Sequence, residues 1–196
     1  MRNLAILLGG AIALAACSTT PRPVAPVDMN NPLMAPGFMA QAASANEYEI
    51  ESAQLALQMS QNPGVRTFAS TLVSDHSMMA QQMAAAAAAA HLPPPSPVLL
   101  PAQQAMLDQL RASGTGYAFD QAFQQGQIQA HQQGIALMQN YATSGDVPAL
   151  RTLAAGAIPV MQRHLAMAQS LQLMPPAPPP PPPMPAPSPG HAGERG

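Results

Sequence analysis

The chain has 196 residues, a formal net charge of −2, only 8% charged residues and no lysine at all. Its arginines are scattered, so no basic patch exists to neutralise phosphates, and nucleic acid is excluded as a partner. Tryptophan is absent and aromatics are 4%, so any core rests on Leu, Ile, Val, Met and Ala, in a chain long enough for one domain.

At the N-terminus, Arg2 precedes the apolar run LAILLGGAIA over residues 4–13, which is too short to span a bilayer comfortably. It meets the small-residue site Leu14-Ala15-Ala16-Cys17, the layout of an export signal peptide over residues 1–16. The LAAC stretch resembles the lipobox of bacterial lipoproteins. That resemblance implies cleavage after Ala16, diacylglycerol on the Cys17 sulfur and acylation of the new amine, a multi-chain membrane anchor. Cys17 is the only cysteine, so no disulfide is expected. Ser18, not aspartate, follows it, which by analogy with enterobacterial sorting points to the outer membrane and a periplasm-facing domain. Residues 17–37 are rich in Pro and Asn without a helical period and read as a flexible tether.

A helical block follows, over residues 38–173. Helix A is expected over about 38–61, with Met39, Ala43, Ile50, Ala53 and Leu57 recurring on one face. Asn62-Pro63-Gly64 stops it in a tight antiparallel turn. Helix B covers about 65–90, with Val65, Phe68, Leu72, Met79 and Met83 on one side. HLPPPSPVLLP breaks the chain, Pro101 opens a short helix ending near Ser113, and Gly114-Thr115-Gly116 is a turn. Helix C covers about 118–142 and helix D about 147–173, with a bend expected at Pro159. No segment alternates with period two. The pattern is all-α: an up-down four-helix bundle with one extra short helix.

From residue 174 the chain becomes a Pro-rich tail with six consecutive prolines at 178–183, a disordered or polyproline segment that cannot join a helical core. Its roles would be those of a spacer or a contact with an envelope protein or the cell wall.

The missing motifs narrow the chemistry. HExxH, a Cys pair, GxxxxGK, GxGxxG and GxSxG are all absent. So is Glu-x-x-His, and the glutamates of the helical block, Glu47, Glu49 and Glu51, crowd onto helix A. Di-iron bundles take that motif from two helices and a Glu from each of the others, so a ferroxidase centre is not expected. What remains is His76 on B, His131 on C and His164 on D.

At about 100° per residue all three point inward. His76 lies about 40° from Leu72 and about 60° from Met79 on the wheel. His131 shares a stripe with Asp120, Gln124 and Gln127, and His164 falls among Val160, Met161, Met167 and Ala168. Counted from Pro63, Glu49 is level with His76, although it sits at the edge of its helix's apolar stripe. His131 is near mid-helix, while His164 sits a turn beyond, a gap of roughly 6 Å. One layer could therefore hold Glu49, His76, His131 and His164 as ligands of a single zinc, copper or iron ion. The competing reading is a satisfied polar network in which Asp75 or Glu49 bonds the imidazoles and fixes helix register. On the residues alone that network ranks first, and the methionines near His76 and His164 read as core filler.

Taken together, Glu49 with SAQLAL, NPGVRTFASTLVSDHS, LDQLRASGTGYAFDQAF and the long run from QAHQQG to AMAQSL resemble the bacterial family called domain of unknown function 4142, over about residues 38–172. Asp75-His76, Phe119-Asp120, His131, and Pro159 with His164 stand where that family's pattern has them. The resemblance implies a ferritin-like bundle on an exported protein and supplies no activity. Phe123 departs from it, standing where a tyrosine is common and removing a hydroxyl expected near the site. The expectation is a lipid-anchored envelope protein, non-enzymatic and structural or stress-related, with metal binding as the alternative.

Overall fold

The computed structural model describes residues 30–175. Cys17, the signal peptide, most of the tether and nearly all of the Pro-rich tail lie outside the described residues. Five helices make up the fold: α1 (Ala35–Met59), α2 (Pro63–Ala89), α3 (Pro101–Ala112), α4 (Tyr117–Ser144) and α5 (Pro148–Ser170). No strand occurs among the described residues, and none of their helices is long and apolar enough to cross a membrane. The first helix starts three residues before its expected position, because Pro36 fits a first turn, where no backbone N–H is needed.

The turns follow from their residues. Asn62 caps α2 by accepting from the N–H groups of Gly64 and Val65, and Pro63 sits in the first turn. The Arg66 guanidinium donates to the carbonyls of Leu57 and Ser60, satisfying orphan acceptors at the end of α1. Between α3 and α4, Gly114 and Gly116 take φ of 82° and 66°, a region glycine enters without strain. Helix α5 runs on through Pro159.

Two apolar cores define the direction of each helix. One gathers the start of α1 (Ala35, Phe38), the end of α2 (Met83, Ala87), the end of α4 (Met138, Tyr141) and the start of α5 (Leu150, Ala154). The other gathers the end of α1 (Ala53, Ala56), the start of α2 (Val65, Phe68), the start of α4 (Phe119, Phe123) and the end of α5 (Ala168). The chain therefore runs up, down, down and up. Between α2 and α4 it returns along the bundle's length through a crossover that carries α3, which packs on α1 and α4. One long crossover of this kind belongs to ferritin-like bundles rather than to a simple up-down order.

The inward face of α1 differs from the expected stripe. Ile50 and Leu57 are only half-buried, whereas Ala42, Asn46, Glu49, Ala53 and Ala56 are buried at spacings of four, three, four and three. Packing against α2, α4 and α3 buries a broad face of this helix. Small and polar side chains, not the largest apolar ones, occupy its centre.

Candidate metal centre

Between the two apolar cores lies a polar layer. His76 is 1% exposed, His131 0%, His164 1% and Glu49 3%, with Asn46, Ser52 and Gln127 buried beside them. Each histidine occupies an inward position of its helix, flanked by buried residues a turn or so away: Leu72 and Met79 on α2, Gln127 and Gly134 on α4, Met161 and Ala168 on α5. The three rings pack against one another with centroids 5.7 Å (His76–His131), 5.4 Å (His76–His164) and 5.3 Å (His131–His164) apart. One ligand nitrogen from each lies within 4.8 Å of the other two.

Hydrogen bonds set the protonation of each ring. Asn46 donates through Nδ2 to the His76 carbonyl at 3.1 Å, which turns its Oδ1 toward His76 Nδ1 at 3.0 Å. Facing an acceptor, Nδ1 carries the proton and Nε2 is left with a lone pair. His131 Nδ1 donates to the Gln127 carbonyl at 2.9 Å, one turn back on its own helix. His164 Nε2 donates to Asp75 Oδ2 at 3.0 Å. The second nitrogen of every ring, His76 Nε2, His131 Nε2 and His164 Nδ1, is buried with no hydrogen-bond partner. Imidazole metal ligands show this pattern: one nitrogen anchored to an oxygen, the other free.

Electrostatics keep the rings neutral. Burial pushes His76 well below the usual imidazole range, and repulsion from His131 and His164 adds to it. His131 falls to about 4, again from burial first; its bond to Gln127 opposes the shift and His164 adds to it. Burial also lowers His164, against the hydrogen bond and charge of Asp75. Glu49 is raised well above the usual carboxylate range by burial, with the Gln127 side chain pulling the other way. Its Oε1 stands 3.4 Å from His131 Nδ1.

The expected site residues divide in two. His76, His131 and His164 meet, and the expected 6 Å gap at His164 is closed. In an antiparallel pair each Cα–Cβ bond tilts toward its own helix N-terminus, so His131 and His164 lean toward each other's level. Glu49 and Asp75 lie outside the triad, against the anchored nitrogens of His131 and His164. Asp120 stands apart in the first turn of α4, about 16 Å along the helix from His131, buried and with Oδ1 unpartnered. Phe123 is likewise two turns away, packed on Phe68 and Phe119, so it removes no hydroxyl from the triad. Asn46 is the residue that reading the sequence missed. An asparagine deep inside a long helix is a weak helix former, and that was its available signal.

Fold and layer together define a class: a four-helix bundle with one long crossover and a buried cluster of three neutral histidines. The pattern of the domain of unknown function (DUF4142) matches residues 20–171, and the chain belongs to that family. Among curated proteins none matches. Two solved structures are similar. CopM in its Cu(II)-bound form superposes with a TM-score of 0.57 at 19% identity, covering 67% of this chain and 90% of that one. CopM in its Ag-bound form gives 0.56 at 18% identity, covering 69% and 93%. At that identity the likeness establishes the shared helical fold.

Proposed function

We propose that this protein is a non-enzymatic, membrane-anchored envelope protein that binds one transition-metal ion between His76, His131 and His164. One observation carries the proposal: three buried ring nitrogens point into the bundle with lone pairs and no donor. A structural network ranks first only if it is satisfied, and an orphaned buried acceptor costs about 1–3 kcal/mol. A cation removes all three penalties at once, which reverses the order reached from the sequence. Three nitrogens at the 4.8 Å limit would leave a central ion about 2.8 Å from each, so the rings close by roughly 0.7 Å to reach an imidazole–metal bond.

Asn46, Gln127 and Asp75 would hold the rings in their ligating tautomers, and Glu49 would support His131 from outside rather than ligate. Binding of copper and silver by the fold's neighbour CopM supports this reading. The lipobox reading at Cys17 supplies the anchor, and the Pro-rich tail offers contact with another envelope component.

Elemental analysis of the full-length protein, prepared without a histidine tag, tests the proposal. About one metal per chain is expected, lost in the His76→Ala, His131→Ala double variant. A metal-free protein that neither copper, silver, zinc nor iron stabilises against heat would refute it.

A further inference from the structure

The layer adjoining the triad has a composition that a three-histidine site leaves unexplained. Three residues along from each histidine, toward the same end of the bundle, stand Met79 on α2, Gly134 on α4 and Met161 on α5. Residues three apart on a helix share a face, so these three lie directly beneath the three rings. Met79 and Met161 are 6% and 5% exposed, and behind them the same core continues with Met83 and Met138. The core on the triad's other side holds Phe68, Leu72, Phe119 and Phe123 among its buried residues, and its methionines, Met59 and Met167, are only half-buried at its margin. Fully buried methionine is thus confined to the Met79–Met161 side, a bias that gap-filling alone does not require.

Gly134 sharpens the asymmetry. A Cβ there would come within 2.4 Å of the Met161 methyl and 3.9 Å of its sulfur. A glycine inside a helix is less stable than an alanine, so the bundle gives up stability at the position that lets the Met161 thioether lie against α4. Charge also bears on the choice of ion. The triad consists of three buried imidazoles, and no carboxylate belongs to it. Desolvation cost grows with the square of the charge, so a monovalent ion enters such a layer far more cheaply than a divalent one. Soft thioether donors favour the same ions.

We infer that Met79 and Met161 form a thioether shelf bonding the triad's ion from below, which makes the site selective for soft monovalent cations, Cu(I) and Ag(I), over Zn(II). The inference rests on the triad binding a metal at all. Met79 and Met161 are then ligands rather than packing, and the imidazoles alone do not set the choice of metal.

The test is competition titration of the full-length protein with Ag(I) and with Zn(II), for the wild type and a Met79→Leu, Met161→Leu double variant. Leucine nearly conserves volume and removes only the sulfur, so the variant keeps its fold. Silver affinity is expected to fall by about tenfold or more while zinc affinity changes by less than about twofold. In parallel, the 13C-methyl resonances of Met79 and Met161 are expected to shift with one equivalent of Ag(I), a readout that survives even if the variant is poorly folded. Unchanged silver affinity, an equal loss for both ions, or unmoved methyl signals on a protein that does bind Ag(I) would overturn the shelf and leave the triad standing. A wild type that binds neither ion would overturn the triad itself.

Discussion

Asn46→Leu isolates the effect of one side chain that holds a ring of the site without offering a ligand itself. The change keeps the branched four-atom shape but removes the bond to the His76 carbonyl (3.1 Å) and the acceptor facing His76 Nδ1 (3.0 Å), both in the buried layer. Stranding the Nδ1–H donor costs about 1–3 kcal/mol, and losing the carbonyl bond adds about 1 kcal/mol. Leucine returns roughly 0.5 kcal/mol through better helix propensity, leaving a net loss of about 1.5–3.5 kcal/mol. For a domain of this size that lowers Tm by roughly 5–12 °C. Without the amide, His76 is also free to place its proton on Nε2, which closes the nitrogen that faces the other rings. Metal affinity should then fall about 10- to 100-fold. The assay is thermal unfolding in chelator together with Ag(I) competition titration, run beside Asn46→Asp, which keeps an acceptor opposite Nδ1. Expected is a large affinity loss for leucine and a smaller one for aspartate. Equal affinities for wild type and Asn46→Leu would refute the idea that this amide sets the His76 tautomer.

The metal-free protein should lose stability as pH falls from about 6.5 toward 4. His131 titrates near 4 when folded against an ordinary imidazole value of 6.5, so the folded form binds fewer protons across that window, a difference of about 3 kcal/mol. His76 and His164 act in the same direction, while Glu49, raised by burial, acts in the opposite one. Urea midpoints that rise on acidification would contradict a neutral triad. Two glycines should respond differently to alanine. At Gly134 the new Cβ meets only the flexible tip of Met161, so stability should stay within about 1 kcal/mol by chemical denaturation. At Gly145 it meets Tyr141 ring atoms at 2.4–2.6 Å, and that ring is held by stacking on Phe38 and a bond to Asp146, so about 1–3 kcal/mol should be lost. Cys17→Ser should move the protein from the membrane fraction to the soluble one and abolish labelling by a tagged fatty acid; continued membrane retention would contradict the lipid anchor.

Much of the bundle was legible because its signals are local. The inward set of α2, from Val65 to Met83 with His76 among them, follows from spacing alone and is buried as expected. The turn at Asn62-Pro63-Gly64 follows from capping chemistry. What escaped depends on partners. On α1 the largest apolar residues suggested one face, but the packing of three neighbouring helices chose another and brought Glu49 from the expected edge to the centre. Asn46 was lost to a two-residue error in the turn's midpoint. Counting from Pro63 pairs His76 with Glu49, whereas Pro63 already belongs to α2. The non-helical link is centred on Gln61, fifteen residues from both Asn46 and His76. Helical periodicity locates a face reliably, but a level across two helices only as well as the turn between them is placed.

Each histidine of the layer has one nitrogen satisfied and one bare. Asn46, Gln127 and Asp75 each accept from one ring, and this exhausts one nitrogen of each histidine. No ring can donate to the other three nitrogens, because each has already spent its one proton outward. Protonating a second nitrogen would supply a donor, yet burial lowers all three rings, and repulsion between rings adds to it at His76 and His131. Leaving three acceptors bare costs roughly 3–9 kcal/mol, a sum comparable to the whole stability of a typical domain. A purely architectural layer would have had a cheap remedy, since leucine or alanine at any of these positions fills the space without the penalty. A cation among the three lone pairs would remove every one of these penalties with a single bound species, which is why the metal reading outranks the architectural one.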